Sequence, residues 1–474
     1  MEAGKERLSL LEKVGYGCGD TASNIFFQAI NIVLFYYYTD VWGMRPGVVG
    51  TLFLVARLWD AVNDPVMGMV ADRTQTRMGR YRPYLLWMAV PFGVIGYLTF
   101  ASPDLEGALK VGYAGGTYIL LGMVYTAINV PYSALMGVMT PRTDERTVLA
   151  SFRFVGAFSA MLLIGLTVRP LVRVLGGGDE VLGYRLTFAL LGALSTVLFL
   201  FTFATTRERL APERPEEPVT VANDVKILLR NKPWLVMFAA AILTLSNVAV
   251  RNAVMFHYFK YYVGDTGEAW FWFLDLTSVF LTTGSVAFIV GICFTNALRR
   301  RFGKRNTLIT LTLLNAVSLM SFYFIPPGMI YTMLVVNAVG NFLAGPMPAL
   351  VWAMYTDVAD YGELQFKRRT TGLVFSAAMF AQKMGLTIGG TLSGWLLGLF
   401  GFVANQPQET LALTGIRIMF SIIPGLLAIA NGLVLFLYPL TEENVVEMEA
   451  ELEARRLARR AAEATDAPGR GPTA

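Results

Sequence analysis

Charge is what this sequence has least of. Asp, Glu, Lys and Arg make up 15% of its 474 residues, against about 25% in an average soluble chain. Histidine occurs once and cysteine twice. A single histidine leaves no metal-spaced His/Cys/Asp set, and no nucleophile stands beside an evident base, which argues against an enzyme working inside a bilayer. Cys18 and Cys293 both fall in apolar segments, so no disulfide framework is expected. The net charge of +5 is modest and the basic residues lie in loops between apolar runs, so it does not signal nucleic-acid binding. Residues 1–13 are polar, and the first apolar run is too long for a cleavable signal peptide and lacks an A-x-A-like site. No cofactor is called for.

What the chain has in quantity is hydrophobic sequence, 55% of its residues. Apolar runs of roughly 20 residues, the length a helix needs to cross a bilayer, recur along nearly its whole length. They predict an all-α, multi-pass membrane protein with twelve helices, at 14–38, 47–71, 84–101, 112–139, 148–172, 184–204, 233–263, 271–298, 307–325, 329–355, 371–400 and 411–438. The seventh is expected to be the longest, and broken or tilted. A polar stretch with Pro212, Pro215 and Pro218 reads as a linker, 205–232, between an N-terminal bundle, 14–204, and a C-terminal bundle, 233–438. Residues 1–13 form the N-terminus. The tail, 439–474, begins as a charged amphipathic helix and ends in a Gly/Pro-rich stretch expected to be disordered.

Loop charge sets the orientation. Arg73, Arg77, Arg80 and Arg82 follow the second helix, and Arg142 and Arg146 the fourth. Arg299, Arg300, Arg301, Lys304 and Arg305 follow the eighth, and Lys367, Arg368 and Arg369 the tenth. The alternate loops hold few basic residues. The positive-inside rule then places both termini in the cytoplasm.

The halves echo each other. RMGRYRP after the second helix is matched by RRFGKRN after the eighth. Pro131, Ala134, Leu135 and Met139 align with Pro346, Ala349, Leu350 and Met354. Repeated halves with polar residues at mid-depth mark an alternating-access transporter whose site lies at the repeat interface.

One stretch concentrates the chemistry: RLWDAVNDPVMGMVADRTQTRMGRYRP, from Arg57 to Pro83. Asp60 and Asp64 are four apart, so on a helix they share one face about 6 Å apart. A carboxylate near a bilayer centre costs roughly 2.5–3.5 kcal/mol on insertion scales. The pair therefore needs a partner: a proton, a cation or a basic side chain. Carboxylates with neutral oxygens suit a hard monovalent cation such as Na⁺, or a shared proton. The competing reading is that Asp60 or Asp64 pairs with Arg57 or Arg153 to hold helices together.

Several separate motifs resemble those of the glycoside–pentoside–hexuronide:cation symporters, the melibiose permease-like branch of the major facilitator superfamily. They are YGCGDTASN and YYYTDVWG in the first helix, GTLFLVARLWDAVNDPVMG in the second and YTAINVPYSAL in the fourth. SFRFVG in the fifth, YFKYYVGD in the seventh and DVADYGE after the tenth complete the set, from about Leu10 to Pro439. The resemblance implies two six-helix bundles and import of a sugar or glycoside with Na⁺ or H⁺. The protein itself is expected to be a monomer in a plasma membrane. The resemblance implies a cation site of Asp60, Asn63, Asp64 and Thr126, with Na⁺ at Asp60 and Asp64. It also implies substrate contacts at Asn24, Asn129 and Arg153, with Lys383 balancing the acids and sensing when they are loaded; Asp20, one turn before Asn24 on the same helix face, would supply a carboxylate to the substrate. Compared with the melibiose permease, two acids that would grip sugar hydroxyls are amides here, Asn24 and Asn129, and a nearby Trp position is Ser133.

Further expectations rest on residue type. Arg251 would face the cavity and read a carboxylate, and Trp352 and Trp395 would stack on a sugar ring. His257 and Lys260 are expected at an exposed helix end, with Lys260 reaching the outer surface. Trp270 and Trp272 are expected in the interfacial belt. Asp72, Arg73, Arg77 and Arg80, with Asp360 and Glu363 in the other half, are read as gating pairs. Two other functions fit the same sequence: a lysophospholipid-type cation symporter, since a vertebrate lysolipid carrier shares the paired acids, and a membrane sugar sensor that does not transport. The short tail, without a recognisable signalling domain, argues against the sensor.

Overall fold

In the computed structural model, residues 8–140, 142–209, 228–366 and 371–465 are described. Ser9 starts the first helix, α1, with a reciprocal cap: the Glu12 amide donates to its hydroxyl and the Ser9 amide to the Glu12 carboxylate. α1 covers Leu10–Ala29 and continues through two π-helical turns, Ile30–Leu34 and Tyr37–Val41. Then follow α2 (Pro46–Arg73), α3 (Arg82–Thr99), α4 (Gly107–Met139), α5 (Thr143–Gly176) and α6 (Glu180–Thr205). The second half is α7 (Lys232–Val263), α8 (Leu276–Cys293), α9 (Lys304–Phe324), α10 (Ile330–Gln365), α11 (Thr371–Leu399) and α12 (Thr410–Phe436). A short helix, Thr295–Phe302, links α8 to α9, and α13 (Glu442–Thr465) follows α12.

Eight of these, α4 to α10 and α12, are long and apolar enough to cross a membrane. The other four, α1, α2, α3 and α11, fall short of that hydropathy; α1, α2 and α11 carry buried polar groups, and α3 opens with Arg82 and holds Pro83 and Pro91. The expected spans are reproduced to within a few residues, with two differences. α8 starts at Leu276 because Trp272, at φ 55°, turns the chain left-handed before it. α10 runs on to Gln365 and bends at Gly345 and Pro346, so at 36 residues it is longer than the 32-residue α7. Of the expected linker, 210–227 lies outside the described residues.

The repeat is visible in the packing. α1 packs on α5 and α6, α3 on α4 and α6, and α2 on α4. In the second half α7 packs on α11 and α12, α9 on α10 and α12, and α8 on α10. Adding six to each helix number converts one set into the other. The halves meet through α2–α11 and α5–α8, which the same operation exchanges, and through α1–α7. Where α2 crosses α11 the backbones nearly touch: a Cβ on Gly50 would stand 2.8 Å from the Thr391 carbonyl oxygen. Small residues at such a crossing are how helices associate in lipid.

The basic loops repeat a device as well as a composition. Gly79 (φ 113°) and Gly303 (φ 75°) each turn the chain just before α3 and α9. An acid after the last helix of each bundle captures the amides exposed there. Glu208 accepts from Arg80, Tyr81 and Arg82 at 2.7–2.9 Å, and Glu442 accepts from Lys304 at 3.2 Å. The tail helix α13 buries Val445, Met448 and Leu452 in the core shared with α10.

Candidate functional site

The expected cation-site residues come together on the inner faces of α2 and α4. Asp64 is bonded from two other helices: the Thr126 hydroxyl on α4 donates to Oδ1 at 2.8 Å, and the Lys383 ammonium on α11 pairs with Oδ2. Asp60 is buried and accepts from Arg57 Nη1 at 3.2 Å. It presses against α4 at Gly122, where a Cβ would stand 2.8 Å from Oδ1. Asn63 Nδ2 is buried with no hydrogen-bond partner among the described residues. The cluster is thus two carboxylates matched by two basic side chains, with neutral oxygens and one unsatisfied amide beside them. Among the described residues no three His, Cys, Asp or Glu side chains gather as a metal centre.

The second cluster lies on α1, α4 and α5. Arg153 donates to Asp20 at 3.2 Å and lies over the Tyr132 ring, 5.1 Å from its centroid. Tyr132 stacks on Tyr16 at 4.7 Å, and each hydroxyl donates to the other residue's carbonyl. Asn24 and Asn129 lie half-buried on the same helices, their Nδ2 groups donating to the carbonyls of Asp20 and Tyr125. Tyr125 stands between the clusters on α4, three residues after Gly122 beside Asp60 and four before Asn129, whose Nδ2 donates to its carbonyl. Sequence reasoning missed Tyr16, Tyr125 and Tyr132, because a tyrosine in an apolar helix looks like packing.

Between the bundles is a void of about 20 Å³ lined by Asn31, Phe35, Phe53, Arg57, Tyr118 and Thr387, among others. It is the size of a water and does not hold a sugar ring. A larger cleft of about 530 Å³ lies at the basic α8–α9 loop, lined by Arg299, Arg300, Arg305 and Glu442, and is remote from both clusters.

Other expected residues are placed elsewhere. Arg251 donates to the Phe420 carbonyl at 2.8 Å and stacks on Phe322 and Phe420 at 4.6 and 4.0 Å. Its charge is held where α12 is interrupted at Ser421, against the last carbonyl of the preceding helical segment, and not in a cavity. Trp352 stacks on Phe375 of α11 at 5.7 Å. Trp395 is exposed and donates to Thr51 at 3.3 Å. His257 is not at an exposed end: it is fully buried and bonded to Thr39 and Asp40. Lys260 turns inward to Asp40 and Asn405. Trp270 and Trp272 are exposed, as interfacial residues are.

Of the expected gating residues, Arg73 and Arg77 are exposed and Arg80 is half-buried, its amide held by Glu208. Asp360 and Glu363 are half-buried on α10, each with an interaction. The Asp72 side chain, and Lys367, Arg368 and Arg369, lie outside the described residues.

Two internally repeated six-helix bundles with charges buried between them define a membrane transporter of the major facilitator type. Solved transporters share the fold. A D-xylose-proton symporter superposes with a TM-score of 0.61 over 91% of this chain and 97% of its own, at 13% identity. The nucleoside transporter NupG does so at 0.59 over 91% and 100%, also at 13% identity. Residues 15–442 match the family described as MFS/sugar transport protein, and the chain belongs to it. Among its relatives is YagG of Escherichia coli (strain K12), provisionally named a glycoside/cation symporter, 40% identical over 95% of this chain and 96% of that one. The isoprimeverose transporter of Lactiplantibacillus pentosus is 33% identical over 88% and 87%.

Proposed function

We propose that the chain is a plasma-membrane symporter that carries a sugar or glycoside together with Na⁺ or H⁺ by alternating access. The observation that supports this most directly is Asp64: a carboxylate on one bundle, bonded by Thr126 of its own bundle and by Lys383 of the other. A cation or proton arriving at Asp64 takes the place of the Lys383 ammonium and so changes a contact between the bundles. Coupling follows from the cost of leaving a carboxylate unpaired in low dielectric. The cargo cation is read as sitting among Asp60, Asn63, Asp64 and Thr126, where the unsatisfied Asn63 amide turns toward an oxygen ligand when the cation binds. The sugar is read as bound at Asp20, Asn24, Asn129 and Arg153, with the Tyr16–Tyr132 pair as a stacking wall. Donors and acceptors of that kind read hydroxyls, and one carboxylate with one guanidinium gives charge-assisted bonds. Both bundles belong to one chain, so a monomer holds a complete site. The positive loops put the termini in the cytoplasm.

The test is uptake of a glycoside panel into proteoliposomes, with and without an inward Na⁺ or H⁺ gradient, for wild type and Asp64→Asn. Gradient-driven accumulation by wild type that vanishes in Asp64→Asn is expected. Sugar binding without transport under any gradient would overturn the proposal.

A further inference from the structure

A buried acid outside the site holds the bundles together at the end opposite the termini. Asp40, at the end of α1, is 2% exposed, yet its carboxylate faces the other bundle. His257 Nε2 on α7 lies 2.9 Å from Oδ2, Lys260 Nζ lies 3.2 Å from Oδ1, and the Tyr261 hydroxyl also bonds to Oδ1. The neighbouring Thr39 hydroxyl donates to Oδ2 at 2.9 Å and meets His257 Nε2 at the same distance. The loop after α11 closes over the group. Asn405 donates to the Asp40 carbonyl at 2.7 Å, receives Lys260 on its side-chain oxygen at 2.7 Å, and donates its amide to Tyr261 at 2.8 Å.

His257 sits among Phe35, Tyr36 and Phe402, with ring centroids 5.1–5.6 Å away. Its Nε2 faces the carboxylate and its Nδ1 is buried with no partner among the described residues, where Asp40 and Thr39 are the polar groups bonded to its ring. A second tie stands apart from it. Arg169 on α5 pairs with Asp275 and lies 3.6 Å from Asp265, both in the α7–α8 connection. Arg173 donates to the carbonyls of Gly267 and Phe273 there. Among the described residues, the ion pairs Lys13–Glu145, Arg209–Glu12, Lys304–Asp357 and Arg455–Glu451 at the terminus end each stay within one half of the chain.

We propose that Asp40 is the latch of the outer gate, and that His257, Lys260, Tyr261 and Asn405 are its keeper. The assignment rests on the transporter reading for its direction: the end away from the termini is the outer face. A desolvated carboxylate keeps its charge only while donors surround it. Besides Thr39 of its own helix, the Asp40 carboxylate is met by His257, Lys260 and Tyr261 of the opposite bundle, so these three bonds exist in the closed state alone. When the bundles part to admit substrate, all these bonds exchange for water together. The latch therefore sets how often the outer face opens, without touching cation or sugar.

The experiment reads opening directly and needs no substrate, so it stands or falls independently of what is carried. In a Cys18→Ser, Cys293→Ser background, Ala253→Cys places one thiol beside the central void, where Ala253 is buried. Right-side-out vesicles are treated with a membrane-impermeant maleimide. Asp40→Asn and His257→Ala are expected to raise the labelling rate about tenfold or more, the usual weight of a hydrogen bond to a charged group. Lys260→Met, at the half-exposed rim, is expected to raise it less, and His257→Gln, which keeps a donor, least. If Asp40→Asn does not insert, the two His257 variants and Lys260→Met decide. Unchanged labelling in variants that insert normally and react with a permeant maleimide would overturn the latch. So would faster labelling from the terminus side alone.

Discussion

Asp64 and Asp60 occupy the same helix face but are held differently. Asp64 is tied to α4 and α11, Asp60 to Arg57 of its own helix and to the space that Gly122 leaves on α4. Replacing Thr126 with Val keeps the shape and removes the donor to Asp64. Half-maximal uptake is then expected to need about tenfold more cation, from a charge-assisted bond of roughly 1.5 kcal/mol, with the maximal rate little changed. A fall in maximal rate with no shift in cation dependence would make Thr126 a packing residue. Gly122→Val is expected to drive a methyl group into Asp60 and to weaken cation dependence as strongly as losing a ligand does; a silent substitution would place Asp60 outside the site. These acids were legible in the sequence because a charge in an apolar run is costly and so conspicuous. Asp40 and His257 were not. Thr39 and His257 touch although they are 218 positions apart, and nothing local to α7 distinguishes a buried latch from an interfacial histidine. Arg251 misled for the opposite reason: an arginine near tyrosines suggests a ligand site, and only the break in α12 shows the backbone carbonyl that occupies it.

At the scale of elements, bilayer thickness made the twelve helices legible, since each must run about 20 residues whatever its neighbours do. Their ends were less so, because α8 and α10 are set by one left-handed tryptophan and one Gly–Pro bend. The basic loops were read as charge alone, while the structure adds an acid that binds the first amides of the next helix. Glu208 is separated by more than a hundred residues from those it serves, so no window of sequence contains the device. Glu208→Ala leaves three amides at the start of α3 to solvent. A loss of about 1–2 kcal/mol is expected, seen as a lower midpoint in thermal unfolding of the purified protein, and Glu442→Ala is expected to cost less because one bond is involved. Equal, negligible effects would mean that water replaces the carboxylates without loss. At the α2–α11 crossing, Gly50→Val is expected to keep the outer ends of these helices apart and to raise outer-face labelling in the same assay that tests the latch.

For the whole molecule, the decisive feature is that the central charges balance without cargo. Arg57 answers Asp60 and Lys383 answers Asp64, so the empty carrier exposes no bare carboxylate to the membrane interior. The pseudo-symmetry explains why that matters: α2–α11 and α5–α8 are equivalent contacts, and the bundles rock about them only if no uncompensated charge crosses low dielectric on the way. A symporter must return empty after each delivery, and on the proposed function Lys383 would make that return neutral by standing in for the cation at Asp64. Lys383→Met then separates two processes that wild type performs together. Net accumulation under a gradient, which needs the empty return, is expected to fall by tenfold or more. Exchange of internal for external sugar at saturating cation, in which the carrier is loaded in both directions, is expected to persist near the wild-type rate. Counterflow measured in the same proteoliposomes distinguishes these. If accumulation and exchange fall together, Lys383 belongs to substrate binding or to folding, and the charge-balance account of the empty carrier fails.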